Sequence, residues 1–150
     1  MSRVVLLDAG PLGMVTHPGG VGEVDACKGW LQGLLSRGVR VVVPEIADYE
    51  VRRELLRARK ARGIARLDAL EESLEYLPLT TAAMRRAAEL WAEARQQGQP
   101  TADATALDAD VILAAQGLTM RTEEEEVIVA TTNVGHLSRL ISAELWQHLT

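Results

Sequence analysis

Three stretches of the chain are apolar almost without interruption. Residues 3–8 read RVVLLD, residues 39–44 read VRVVVP, and residues 127–133 read VIVATTN. Runs of Val, Leu and Ile this short, bounded by Gly, Pro or Asn, predict strands buried on both faces. Between them the apolar positions change period. Val24, Cys27, Leu31, Leu34 and Leu35 predict a helix over 23–36, closed by Gly38. A helix from about 47 to 62 is expected to break at Gly63, with a second running to about 74. EYLPL at 75–79 reads as a short extended piece. Thr80 or Thr81 then caps a helix with Met84, Ala87, Ala88, Trp91 and Ala94 on one face. Residues 96–105 read as a loop, and a helix over 108–116 is expected to stop at Gly117. In the tail, Leu137, Leu140, Ile141 and Leu145 fall at helical spacing. Strands alternating with helices predict an α/β fold with a parallel sheet covered on both faces. With 150 residues and no linker or repeat, one domain is expected.

Charge and composition narrow the class. No apolar run approaches the roughly 18 residues of a membrane span, and the first residues lack the pattern of a secretory signal. The lone Cys27 excludes an intramolecular disulfide and falls on an apolar helix face, so a reduced, cytoplasmic protein is expected. The formal net charge is −5, but it is unevenly spread. Residues 51–66 carry Arg52, Arg53, Arg57, Arg59, Lys60, Arg62 and Arg66 against Glu54 alone. A basic stripe on an acidic body reads either as a solvated helix face or as a footprint for a polyanion.

The acidic residues raise the sharper question. In open α/β sheets ligands bind beyond the carboxyl ends of the strands. Asp8 ends the first apolar run with no cationic neighbour and no evident local role. Glu45 and Glu50 follow the second run, Asp108 and Asp110 open the helix LDADVILAAQ, and Asn133 follows the third run. Each of these has an ordinary reading. Asp108 suits an N-cap, Asp110 a helix N-terminus, Glu50 a pair with Arg53, and Asn133 a turn. Together they map to one edge of the sheet. Gathered carboxylates repel and resist desolvation, and Mg²⁺ or Mn²⁺ offsets that cost with oxygen ligation.

VVLLDAGPLG, PEIADYEVRREL, LDADVILAAQGL and VIVATTNVGHLSRL together resemble the four motif regions of PIN domains, most closely the small bacterial VapC type. The likeness spans the whole chain in the expected order. It implies a single PIN domain with a five-stranded parallel sheet, in the order 3-2-1-4-5, flanked by helices on both faces. It implies Mg²⁺- or Mn²⁺-dependent endoribonuclease activity, with Asp8, Glu50 and Asp110 as the metal-holding acids. Glu50 fits the second motif's helical slot better than Glu45. In the fourth region Thr131 and Asn133 would orient a water or the phosphate. There Asn stands in the form that lacks a carboxylate, and Asp103 and Asp108 are near enough in sequence to Asp110 to compensate. Arg52, Arg53, Arg57, Arg59 and Lys60 follow Glu50 directly and are the expected RNA contacts. An antitoxin protein and a second copy of the chain are further candidate partners, the latter through the apolar tail.

Other signals are weak. Gly20-Val21-Gly22 comes too late after the first strand for a dinucleotide fingerprint. His17, His136 and His148 lack zinc spacing, and Trp30, Trp91 and Trp146 read as packing residues. With no Phe, the chain lacks the aromatic platform of a single-strand stacking protein. A phosphatase reading is disfavoured because Asp8 has no second acid two residues on. The rival to a nuclease is a PIN-fold module that binds RNA or protein and cleaves weakly, and Asn133 is the feature that favours it.

Overall fold

A computed structural model describes residues 2–98 and 104–150. One parallel sheet is built from β1 (Ser2–Leu7), β2 (Arg40–Pro44), β3 (Glu75–Leu77), β4 (Glu125–Thr131) and β5 (Ala143–Leu145). Its order is β3-β2-β1-β4-β5, as expected, and each pairing is parallel. Around it lie α1 (Ala9–Val15), α2 (Glu23–Ser36), α3 (Glu45–Arg57), α4 (Ala61–Ser73), α5 (Thr81–Gln96) and α6 (Ala104–Met120).

The continuous apolar runs follow from burial of both sheet faces. In β1, Val4 and Leu6 join a core with Leu90 of α5 and Val111 of α6. The alternate residues Val5 and Leu7 join a second core with Leu12 of α1, Leu31 of α2, Val51 of α3 and Leu67 of α4. Cys27 is fully buried in that second core, and Trp30 packs on Trp146 with ring centroids 5.7 Å apart.

Several local expectations are corrected. The stretch after Asp8, which had no predicted element, is a helix: AGPLGMV forms α1 despite two glycines, because Pro11 sits in the first turn, where its missing N–H costs nothing. The break between α3 and α4 falls at 58–60, where Arg59 takes a left-handed φ of 56°. Gly63 lies inside α4, and a Cβ there would stand 2.9 Å from Leu55 Cδ2. Gly117 likewise does not stop α6; it makes room for the Ile141 side chain. The buried face of α5 is Ala83, Ala87, Leu90 and Ala94, while Met84 and Trp91 stay exposed. The tail is not a helix but a 3₁₀ turn over 137–139, then β5, then a 3₁₀ turn over 146–148. Leu137, Ile141, Trp146 and Leu149 are buried in the two cores, so the tail presents no apolar helix face to a second copy.

Candidate functional site

Asp8 stands at the carboxyl end of the central strand β1. It does have a local role, contrary to the sequence expectation: it is the N-cap of α1, with the Ala9 N–H donating to Oδ1 at 2.8 Å. Its other oxygen is held from β4. The Thr131 hydroxyl donates to Asp8 Oδ2 at 2.7 Å and accepts the Asn133 N–H at 3.2 Å. The bonds from Ala9 and Thr131 fix the plane of the Asp8 carboxyl. Gly10 permits this meeting of α1 and β4, because a Cβ there would fall 2.6 Å from Thr132 Cγ2.

Glu50 projects from α3 and Asp110 from α6, both half-buried. Burial pushes the Glu50 carboxyl from its ordinary 4.5 up to about 7; the negative charge of Asp8 adds to the rise, Arg53 opposes it, and Asp110 adds again. Burial pushes Asp110 from 3.8 up to about 6, with Asp8 again adding and His136 opposing. The Asp8 charge thus acts on acids from two other elements, and the Asp110 charge acts on Glu50. The orientation of α3 rests on two contacts at its first turn. Glu45 Oε1 accepts the Leu79 N–H at 2.6 Å, which gives Glu45 a structural role and leaves the site to Glu50. Gln116, buried on α6, accepts the Ile46 N–H at 3.2 Å and donates to the Leu77 carbonyl at 2.9 Å. No side chain of α3's own N-cap, Pro44, does this work, so Gln116 caps the helix from across the core. Sequence reasoning missed Gln116, whose only signal was an amide in an otherwise apolar run.

The donor set is all oxygen, which fits a hard divalent cation in type. Among the described residues, however, no three acidic or histidine side chains are gathered closely enough to form a ready-made coordination cluster. Asn133 meets Thr131 through its backbone; its side chain is exposed and lies over Gly135. Asp108 is exposed and borders a cavity of about 470 Å³ with Tyr49, Glu50 and Arg53. Asp103 lies outside the described residues. His136, discounted from the sequence, proves close enough for its charge to act on Asp110.

The basic stretch is divided by the fold. Arg52 was expected to face RNA but is committed internally: its guanidinium pairs with Asp48 at 2.9 Å, Asp68 at 2.8 Å and Glu71 at 3.3 Å. Arg57 pairs with Glu54, and Arg53 lies over the Tyr49 ring. Arg59, Lys60 and Arg62 face a separate cavity. Beneath Arg52, burial pushes Glu71 up to about 8, with its hydrogen bond to Asp48 adding; against its own burial, Asp48 is held below its ordinary range first by Arg52 and then by Glu71.

No protein-family profile matches the chain, and no curated protein matches it. Solved structures do. VapBC2 from Rickettsia felis, bound to a DNA fragment from its promoter, superposes with a TM-score of 0.73 at 16% identity, over 95% of this chain and 98% of that one. FitAcB from Neisseria gonorrhoeae gives 0.69 at 20% identity, over 97% and 99%. VapBC-5 from Mycobacterium tuberculosis, of the VapBC family of toxin–antitoxin systems, gives 0.56 at 19%, over 95% and 96%. At such identities the fold is what is shared, and the chain has the VapC-type PIN fold.

Proposed function

We propose that the chain is a metal-dependent endoribonuclease, acting in the cytoplasm as the toxin of a toxin–antitoxin pair. The observation that carries this is the placement of Asp8 at the end of β1, with Glu50 of α3 and Asp110 of α6 near enough for the Asp8 charge to act on both. A fold selected for stability alone has no reason to keep half-buried acids on α3 and α6 within range of the Asp8 charge, which raises the cost of ionising both. The three residues would hold Mg²⁺ or Mn²⁺, which when bound supplies an activated water and neutralises charge on a phosphate. The chain's own contribution is orientation. Thr131 and the α1 amide fix the Asp8 carboxylate, while Gln116 and Glu45 set the pose of α3 and hence of Glu50. The architecture shared with VapBC assemblies supports both the nuclease reading and an antitoxin partner.

One observation favours the weakly cleaving binding module: the Asn133 side chain is exposed and adds no donor beside Asp8. The two readings separate in a cleavage assay on a mixed panel of single-stranded and hairpin RNAs, with Mn²⁺, Mg²⁺ or chelator. The nuclease reading expects cutting that chelator abolishes and that Asp110→Asn lowers by at least about 100-fold, given the several kcal/mol a catalytic metal supplies. RNA retention without cutting by the wild-type chain would transfer the conclusion to the binding module.

A further inference from the structure

We infer that the cavity at the α3–α4 turn is a second anion site, which grips the sugar–phosphate backbone of the RNA strand away from the carboxylates. This rests on RNA being the substrate. The cavity holds about 550 Å³ and is bordered by His17, Arg59, Lys60 and Arg62, and among the described residues no acidic side chain borders it. The three cationic side chains have no ion-pair partner among the described residues, unlike Arg52 and Arg57 on the same stretch. The opposite wall is preorganised. Lys28 Nζ donates to the carbonyls of His17 and Gly19 at 2.6 and 2.7 Å, which pins the loop. The Gly19 N–H donates to His17 Nδ1 at 3.0 Å, so the neutral ring carries its proton on Nε2, a further donor. All the charged groups here are positive, and the neutral ring offers a donor, which is the complement of a phosphodiester.

The position explains the arrangement. Two elements connect the acids to this cavity. Helix α1 begins at Asp8 and ends beside Thr16, which borders the cavity; α3 carries Glu50 and leads to Arg59. From Glu50 to the last residue of α3 is about 10 Å along the helix axis, beyond the roughly 8 Å screening length at physiological salt. The cations are therefore too far away to neutralise the acids, yet within reach of the same strand. An acidic centre repels RNA, and a cationic anchor one step along the strand offsets that repulsion without occupying the centre.

The test is binding of a labelled 12-nucleotide single-stranded RNA in chelator, where nothing is cut, over a salt series. Arg59→Gly is the key single variant: its backbone is left-handed at φ 56°, which glycine adopts freely, so the cation is removed without threat to the fold. Arg59→Gly should weaken binding several-fold. Arg59→Gly/Lys60→Ala/Arg62→Ala should weaken it by more than 10-fold and flatten the slope of log affinity against log salt by about 2, at ~0.7 per phosphate. Wild-type affinity and slope in the triple variant would overturn the anchor while leaving the nuclease reading intact. Loss of binding to an acidic protein partner but not to RNA would overturn it too, and reassign the cavity to that partner. Absence of RNA binding by the wild-type chain, together with absence of cleavage in metal, would bring down both.

Discussion

Replacing Glu50 with Gln should make the metal-free protein more stable while destroying its site. In the folded chain the Glu50 carboxyl is raised from 4.5 to about 7, chiefly by burial and by Asp8. A raised pKa means the folded state holds the proton more tightly than the unfolded state. Folding stability is therefore unaffected by Glu50 below pH 4.5, declines as pH climbs to about 7, and stays reduced above that. At about 1.4 kcal/mol per unit the full shift corresponds to an upper bound near 3 kcal/mol. Glu50 is half-exposed to solvent, which screens its charge, so about 1–2 kcal/mol is the expected gain. The assay is urea unfolding in chelator at pH 5 and pH 8. Glu50→Gln should match the wild type closely at pH 5 and exceed it by that amount at pH 8, with a rise of about 2–8 °C in Tm. An advantage equal at both pH values, or none, would refute the electrostatic basis of the site. The exchange of stability for charge is what a site built to receive a cation predicts.

Other substitutions probe how the site is held. Gly10→Ala should cost about 1–3 kcal/mol in urea unfolding, because its Cβ would strike Thr132, whereas Gly13→Ala on the same helix meets nothing within 4 Å and should gain about 0.5–1 kcal/mol. Gln116→Ala leaves the Ile46 N–H and Leu77 carbonyl without their partner and should destabilise by about 2–3 kcal/mol, seen by thermal melting. Glu71→Gln keeps a donor toward Asp48 without needing a proton, so the wild type should lose stability between pH 5 and 8 relative to the variant, by about 1 kcal/mol. A constant difference across that range would place the shared proton elsewhere.

The central strands were legible because burial of both faces writes itself as unbroken Val and Leu runs in β1, β2 and β4. Of the edge strands, three-residue β3 appeared only as a short extended piece, and β5 carried no pattern of its own. In the tail the 3–4 spacing of Leu137, Leu140 and Ile141 matched a helix but is realised as a turn feeding a strand. Glycine misled twice, at Gly63 and Gly117, for one reason. Both sit inside helices because a neighbour approaches closely, as also at Gly10, a demand of tertiary packing that local propensity reads as a break. The acids were findable as residues at strand ends. What the sequence hid was how they are held: Asp8 capping α1, Thr131 reaching it across 123 positions, and Gln116 capping α3 from another helix. It also hid the division of the basic stretch, since only the fold reveals that Arg52 is neutralised by Asp48, Asp68 and Glu71 while Arg59 and Lys60 are left for something else.

The central claim is that Asp8, Glu50 and Asp110 make one cation site, and Mn²⁺ titration followed by the electron paramagnetic resonance of the free ion tests it directly. The account predicts saturable binding by the wild-type chain that Asp8→Asn, Glu50→Gln and Asp110→Asn each weaken by at least about 10-fold, roughly one charge-assisted ligand's worth. Binding that all three variants retain unchanged, or no saturable binding by the wild type, would contradict it.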